Sequence, residues 1–416
     1  MGTDFRKPPA RPVNCGREQR EINVDPLTAL LRLPAMERRE RGLEHTPQEI
    51  AQQPRTWRRT HEGLAVQRGE LEEFLASTGL RDNAEKRPTV FLVGAGTSDY
   101  IGRSLHHLLR RCWQSEVIPV ASTSLLTDFS DLLIPGRRYL WISFSRSGNS
   151  PEGVAVLERA LEECPQVSHL LVSCNGSGRM MQAVEGRPGC HAIVLDDAVN
   201  DRSLAMTSSF TNMVLTGQFL AHLPHAEGYE PIVDALAAAG ESLLPRAAQL
   251  AASLVDEGYS RVCFLGSGGL AGGAMESALK VLELTAGRVQ SMSQATLALR
   301  HGPMAALDQD TLLVASVSSE APRRNYELDL LREIGAKGLV RTRVAVATDS
   351  QGLREEAEYV LAPETAAAIP DACRPVLDVL FGQLLGLFAS IHAGLQPDSP
   401  SPTGAISRVV PELSIY

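Results

Sequence analysis

Cysteine is scarce and odd in number. The 416 residues contain 7, at Cys15, Cys112, Cys164, Cys174, Cys190, Cys263 and Cys373. None is spaced like a zinc ligand set, and several lie in apolar strand-like runs such as "RVCFLG". That pattern excludes a disulfide framework and suits reduced, buried thiols in a cytoplasmic protein. An excess of basic residues is also missing. The formal charge of −9 argues against a nucleic-acid partner, which selects a basic face. The polar N-terminus, rich in Arg and Pro, has no apolar core for a signal peptide. The most apolar segment, "VLDVLFGQLLGLFASIHAGL" from Val376, is interrupted by Asp378, Gln383 and His392. It reads as a buried helix rather than a membrane span. No Gly-Lys-Ser/Thr phosphate loop is present.

What is present is an ordinary globular composition, 44% apolar and 21% charged. The length exceeds what one core usually supports, so two domains are expected. Residues 1–45 read as a flexible tail, with a capping or exchanged arm as the alternative, and residues 46–77 as a helical lead-in broken by Pro54. Beyond them the chain repeats itself. "TVFLVGAGTSDYIGRSLHHLLRR" and "RVCFLGSGGLAGGAMESALKVLELTAG" each read as strand, Gly-rich turn and helix. Gly94 aligns with Gly266, Ser145 with Ser316 and Cys174 with Thr348, at offsets of 172, 171 and 174. Elements in one order at nearly one offset indicate a duplication. Strands alternating with helices predict two tandem doubly wound parallel-sheet domains of α/β class, residues 78–236 and 252–402, before a tail at 403–416.

The stretch "SFSRSGNSPEG" ends the apolar run "RYLWI" with Ser143, Ser145, Ser147 and Ser150. Ligands of such sheets bind beyond the carboxyl ends of the strands. Ser150 suits a helix N-cap, Pro151 the first helical position and Glu152 the first turn. Hydroxyls on Ser145, Ser147 and Ser150, with a backbone opened by Gly148, suit a phosphate monoester at a helix start. A capped turn with solvated serines is the plainer reading. A second loop, "GAGTSD", favours the phosphate, because Thr97 and Ser98 start the neighbouring helix. "GAGTSD" has Asp99 where a dinucleotide fingerprint needs its third glycine. "GSGGLA" fits that pattern, but no strand ending in Asp or Glu follows at the usual distance.

The second copy lacks the serine cluster and carries charge elsewhere. Glu276, Lys280 and Glu283 lie on one face of an otherwise apolar helix. Ionised groups there need partners or a ligand. An ion pair of Glu276 with Lys280, with Glu283 solvated, is the structural alternative. Gly266, Gly268 and Gly269 indicate close packing where this helix begins.

Taken together, "GAGTSDYIG", "SFSRSGNSPEG", "LAMTSSFTNM", "GSGGLAGGAMESALKVLELTAG", "LRHGPMA" and "SPTGAISRVV" resemble the tandem sugar isomerase (SIS) domain family. The branch is the AgaS type of tagatose-6-phosphate ketose/aldose isomerases and galactosamine-6-phosphate deaminases. The resemblance runs from "EIAQQPRTW" to the C-terminus. It implies a hexose or hexosamine 6-phosphate substrate, with its phosphate at Ser98, Ser145, Ser147 and Ser150 beside Thr97 and Arg146. Leu204 and Thr207 fall where the family touches the sugar. Glu283 falls at the base that moves a proton between C1 and C2. His301 falls at the residue that assists ring opening from the partner subunit of a dimer, and Glu276 and Lys280 line that site. A carboxylate suits this proton transfer, a cation suits the enediol oxygen, and no cofactor or metal is required. A related synthase has a lysine near its C-terminus where this sequence has Ile406, Ser407 and Arg408. That departure, with no glutaminase-like half in the sequence, makes deamination the expected direction.

Overall fold

The structure, a computed structural model, describes residues 24–408 and 414–416. Ten strands form two five-stranded sheets. The first contains β1 (Thr89–Gly94), β2 (Val117–Ala121), β3 (Tyr139–Ser145), β4 (Val167–Ser173) and β5 (Cys190–Val194). The second contains β6 (Arg261–Gly266), β7 (Gln290–Ala295), β8 (Thr311–Ser316), β9 (Thr342–Val346) and β10 (Tyr359–Leu361). Every pairing is parallel. The spatial orders are β2-β1-β3-β4-β5 and β10-β9-β8-β6-β7. Counted from its own first strand and read from the other edge, the second order equals the first, as the repeat in the sequence predicts. All residues of β1 and β3 are buried. Such strands, covered on both faces, need the unbroken apolar runs seen in "TVFLV" and "YLWI".

Eight helices matter for the site. They are α1 (Gln53–Val66), α2 (Thr97–Trp113), α3 (Pro151–Glu163), α4 (Ser208–His222), α5 (Glu230–Glu257), α6 (Gly269–Leu284), α7 (Ala321–Ala336) and α8 (Pro375–His392). One buried core runs through both halves, from Leu92 and Leu140 of the first sheet to Val262 and Leu312 of the second. Helix α8 is apolar enough to span a membrane by length and composition, but its residues Val376–Ser390 are buried within the protein. Its Asp378 is held by Arg374, which explains a charge in an apolar helix.

The two halves meet where α2 and α6, the first helix of each copy, cross. A Cβ on Gly272 of α6 would lie 2.4 Å from Ser104 Oγ and 2.5 Å from the Ser104 nitrogen of α2. Only glycine permits this approach. Within the expected tail the described residues from 24 onward are ordered: helices run over Pro26–Leu31 and Ala35–Glu40, and Leu27, Leu30 and Leu43 are buried. Burying such leucines stabilises by about 1.5–3 kcal/mol each, which docks the segment. Asp25 caps the first of these helices, accepting from the Thr28 nitrogen at 3.0 Å. Asp398 ties the C-terminal side to the same region, accepting from the backbone nitrogens of Glu44 and Thr46 at 2.7 Å each. The start of the expected tail, residues 1–23, lies outside the described residues, as does 409–413 of the C-terminal one.

Candidate active site

The serine loop leaves β3 and enters α3 as the sequence predicts. Ser150 is the N-cap, accepting from the Gly153 nitrogen at 3.2 Å, and Pro151 follows it. Ser145 Oγ accepts from the Gly148 nitrogen at 3.0 Å, and Ser147 Oγ from the Asn149 nitrogen at 3.2 Å. A hydroxyl oxygen that accepts a backbone amide keeps its own proton for a ligand. The loop is braced from behind. Asn175 Nδ2 donates to the Ser147 carbonyl at 2.8 Å, and the Met180 nitrogen donates to the Gly148 carbonyl at 3.0 Å. Gly148 has φ +64°, and a Cβ there would lie 3.2 Å from Gly178 Cα. Glycine is therefore required for both conformation and space.

Ser98, Ser145, Ser147 and Ser150 all line one cavity of about 340 Å³. Ser122 and Thr123, at the end of β2, line it too, together with Met206. The sequence reading missed these three. The run "ASTS" after an apolar strand carried the signal for the first two. Arg146 lies in the loop, but its guanidinium is spent elsewhere. It donates to the Ser203 and Leu204 carbonyls at 3.2 Å each and to the Arg408 carbonyl at 2.9 Å. The side chain straps the 203–204 segment and the C-terminal segment to the loop, while the residue also lines the cavity. Arg408 in turn donates to the Asp201 carbonyl and to Asn200 Oδ1 at 2.7 Å each.

The second group lies on α6. Glu276 and Lys280 are wholly buried, and the Glu283 side chain is 29% exposed. Lys280 Nζ sits 3.2 Å from Glu276 Oε1, 2.5 Å from Glu283 Oε2 and 3.1 Å from Thr97 Oγ1. Thr97 Oγ1 donates onward to Glu276 Oε1 at 3.3 Å. The first part of the structural alternative holds, since Lys280 pairs with Glu276, and the second is modified, since Glu283 bonds Lys280 as well instead of being merely solvated. Burial pushes the Glu276 carboxyl up to about 8; Lys280 pulls it back and Glu283 adds to the rise. Burial alone would lower the Lys280 ammonium, but Glu276 and Glu283 outweigh it and raise it above the ordinary value. These shifts favour a protonated Glu276 beside a Lys280 ammonium near neutral pH. Glu276 Oε2 is buried and has no partner among the described residues. A protonated carboxyl there offers one hydrogen bond to a ligand.

The two groups therefore converge at the start of α2. Ser98 faces the cavity and Thr97, its neighbour, is bonded to the α6 charges. His301 is not brought into this set. It is exposed at the end of the Thr296–Arg300 turn and forms no hydrogen bond or ion pair with Glu276, Lys280 or Glu283 of its own chain. Leu204 and Thr207 precede α4, beside Met206 of the cavity lining. The Thr207 nitrogen donates to Asp201 Oδ2 at 2.7 Å, and its buried Oγ1 has no partner among the described residues. A larger open cleft of about 710 Å³ lies near β9 and β10, lined by Arg246, Asp349, Arg354 and Glu358. Its two named carboxylates are paired, Asp349 with Arg324 and Glu358 with Arg343.

No protein-family model matches the chain. Over 374 residues it is 37% identical to a Streptomyces coelicolor protein that carries the AgaS name, covering 89% of this chain and 95% of the relative. It is 34% identical over 376 residues to the Escherichia coli D-galactosamine-6-phosphate deaminase AgaS, with 89% and 95% of the two chains covered. Among solved structures, the tagatose-6-phosphate ketose/aldose isomerase from Escherichia coli superimposes with a TM-score of 0.78 at 33% identity, over 86% of this chain and 95% of that one. With a repeated parallel fold, a hydroxyl-lined cavity and a charged helix in common order, the chain belongs to the AgaS family of tandem sugar isomerase domain proteins.

Proposed function

We propose that the chain is a cytoplasmic amino-sugar-phosphate deaminase/isomerase. It converts galactosamine 6-phosphate and water to tagatose 6-phosphate and ammonia. The observation that carries this reading is Thr97, which adjoins the hydroxyl-lined cavity and bonds both Lys280 and Glu276. A phosphate gripped by Ser98, Ser145, Ser147 and Ser150 leaves the carbon chain to run towards α6. The name of the Escherichia coli relative supports the substrate class.

The chemistry follows from the charge states. Glu283 is the carboxylate with access to solvent, and it removes the C2 proton of the open-chain aldehyde. Lys280 stabilises the oxygen on which negative charge develops, and protonated Glu276 donates a hydrogen bond. Glu283 returns the proton to C1. C2 becomes an imine, water adds to it, the C2–N bond breaks, and ammonia leaves with a ketone behind. A positioned proton-transfer group contributes roughly 10²–10⁴-fold to such a step. His301, exposed on its own chain, is free to enter the site of a second copy and assist ring opening, so the working unit is at least a homodimer.

Ammonia and tagatose 6-phosphate release from galactosamine 6-phosphate, run beside glucosamine 6-phosphate, tests the reading. Aldose/ketose interconversion without ammonia would favour a simple isomerase, the activity in the name of the Escherichia coli structural relative. Binding without turnover would reject an enzyme and favour a sugar-phosphate sensor. Mixing Glu283→Gln and His301→Asn chains, each inactive alone, should restore part of the activity if the site is shared.

A further inference from the structure

The loop after β8 is the counterpart of the serine loop. At the 171-residue offset Ser318 stands for Ser147, Ser319 for Gly148 and Glu320 for Asn149. Its local geometry survives. The Glu320 nitrogen donates to Ser318 Oγ at 3.1 Å, as the Asn149 nitrogen donates to Ser147 Oγ at 3.2 Å. The next bond differs. The Ser318 hydroxyl donates to Asp371 Oδ2. The Ser319 nitrogen donates to the two Asp371 oxygens at 3.0 and 3.1 Å, and the Ser319 hydroxyl at 2.9 Å. Arg374 Nη1 completes the set at 3.0 Å. Asp371 is 4% exposed and comes from a separate turn, Asp371–Cys373, just before α8. Two hydroxyls, a backbone amide and a guanidinium around one buried carboxylate form the donor set of an oxyanion site.

We propose that the second half retains an oxyanion-binding site of the same class as the first, filled from within by the Asp371 carboxylate. Each chain then takes up one phosphate-bearing ligand, at the first loop. An external oxyanion, phosphate or carboxylate, enters at Ser318 and Ser319 only when the Asp371 side chain is removed. A cavity of about 220 Å³, lined by Ser267, Gly268, Glu320, Arg323 and Asp371, adjoins the site and offers the route in. The internal anion also steadies the reactive helix. Asp371 precedes α8, and α8 lies so close to α6 that a Cβ on Gly382 would sit 2.4 Å from Ser277 Cβ. Asp371 is thus a positioning residue for Glu276 and Lys280 at a distance, with no contact to substrate. The inference stands on Asp371 and its donors and is independent of which sugar phosphate the first loop takes.

The test uses the full chain with inorganic phosphate and acetate as probes. Asp371→Ala should lower the melting temperature, bind two phosphates per chain where the wild type binds one, regain stability as either anion is added, and regain turnover with acetate, since phosphate also competes with substrate at the first loop. Asp371→Ala combined with Ser147→Ala should keep the new site while losing the first. That result separates this inference from failure of the first-loop reading, in which Ser147→Ala alone would leave phosphate binding intact. If Asp371→Ala does not fold, Asp371→Asn keeps the volume without the charge and should melt lower than wild type, with no recovery in phosphate. An Asp371→Ala protein still binding one phosphate, an Asp371→Asn protein as stable as wild type, or a wild type that already binds two overturns the proposal.

Discussion

The two halves share a topology and divide what the topology can carry. In the first, the loop after β3 presents hydroxyl protons to a cavity, and the helix after β1 carries no reactive carboxylate. At the 172-residue offset Glu276, Lys280 and Glu283 correspond to Ser104, Leu108 and Arg111 of α2. In the second half the helix has the charges, and the matching loop has its donors taken by Asp371. One ancestral unit could place either function at the carboxyl end of its sheet. With α2 and α6 packed together through Gly272, each copy needs only one function, since Thr97 brings the two within bonding distance.

The largest expected effect breaks the comparison at its chemical end. Glu283→Gln should lower kcat by roughly 10²–10⁴-fold while leaving KM within about tenfold, because a proton-transfer group is lost and the grip on phosphate is kept. Arg111→Gln, at the matching position of α2, should leave ammonia release near wild type in the same steady-state assay. Next comes the anion grip. Ser147→Ala should raise KM by roughly 10–100-fold, the effect of one hydrogen bond to a charged group of about 1.5–3 kcal/mol. Ser318→Ala should leave KM unchanged and lower the melting temperature instead, since it strips a donor from Asp371.

Acidity sharpens the contrast further. The folded chain keeps protons on Glu276 up to about pH 8 and on Glu49 up to about 7, where an unperturbed carboxyl releases them near 4.5. The folded state therefore binds more protons in that window, and stability should fall as pH rises through it. Glu276→Gln should flatten the upper part of the fall in chemical denaturation followed against pH. It should also remove the decline in turnover above about pH 8 that ionisation of the donor imposes on the wild type. The smallest effect belongs to Arg146. Arg146→Met should free residues 403–408 to faster amide exchange, with a change in KM of only a few-fold, because its Nη groups are bonded to backbone carbonyls.

Much of this was legible in the linear chain. "SRSGNSPEG" announced an N-cap, a forced glycine and a run of hydroxyls, because those are local properties of backbone and side chain. The spacing of Glu276, Lys280 and Glu283 placed them on one face for the same reason. For Arg146 the linear chain showed only its place between two serines, which says nothing about the carbonyls of Ser203 and Leu204 that its long side chain reaches. The segment before Thr46 misled, because its few leucines become a docking face only when α5 is there to receive them. Asp371 was silent: nothing in "PDACRP" marks a residue whose partners lie 52 and 53 positions away.

The amino-acid order by itself determined the duplication, the parallel α/β class, the hydroxyl-rich loop after β3 and the shared face of Glu276, Lys280 and Glu283. Periodicity, caps and turn glycines act over a few residues and need no distant partner. Only the tertiary structure decided that Thr97 joins the two groups, that Asp371 fills the second loop and that burial raises the Glu276 carboxyl. Each of these depends on burial and on contacts between segments far apart in the chain, and desolvation exists only once the core has closed around the charge.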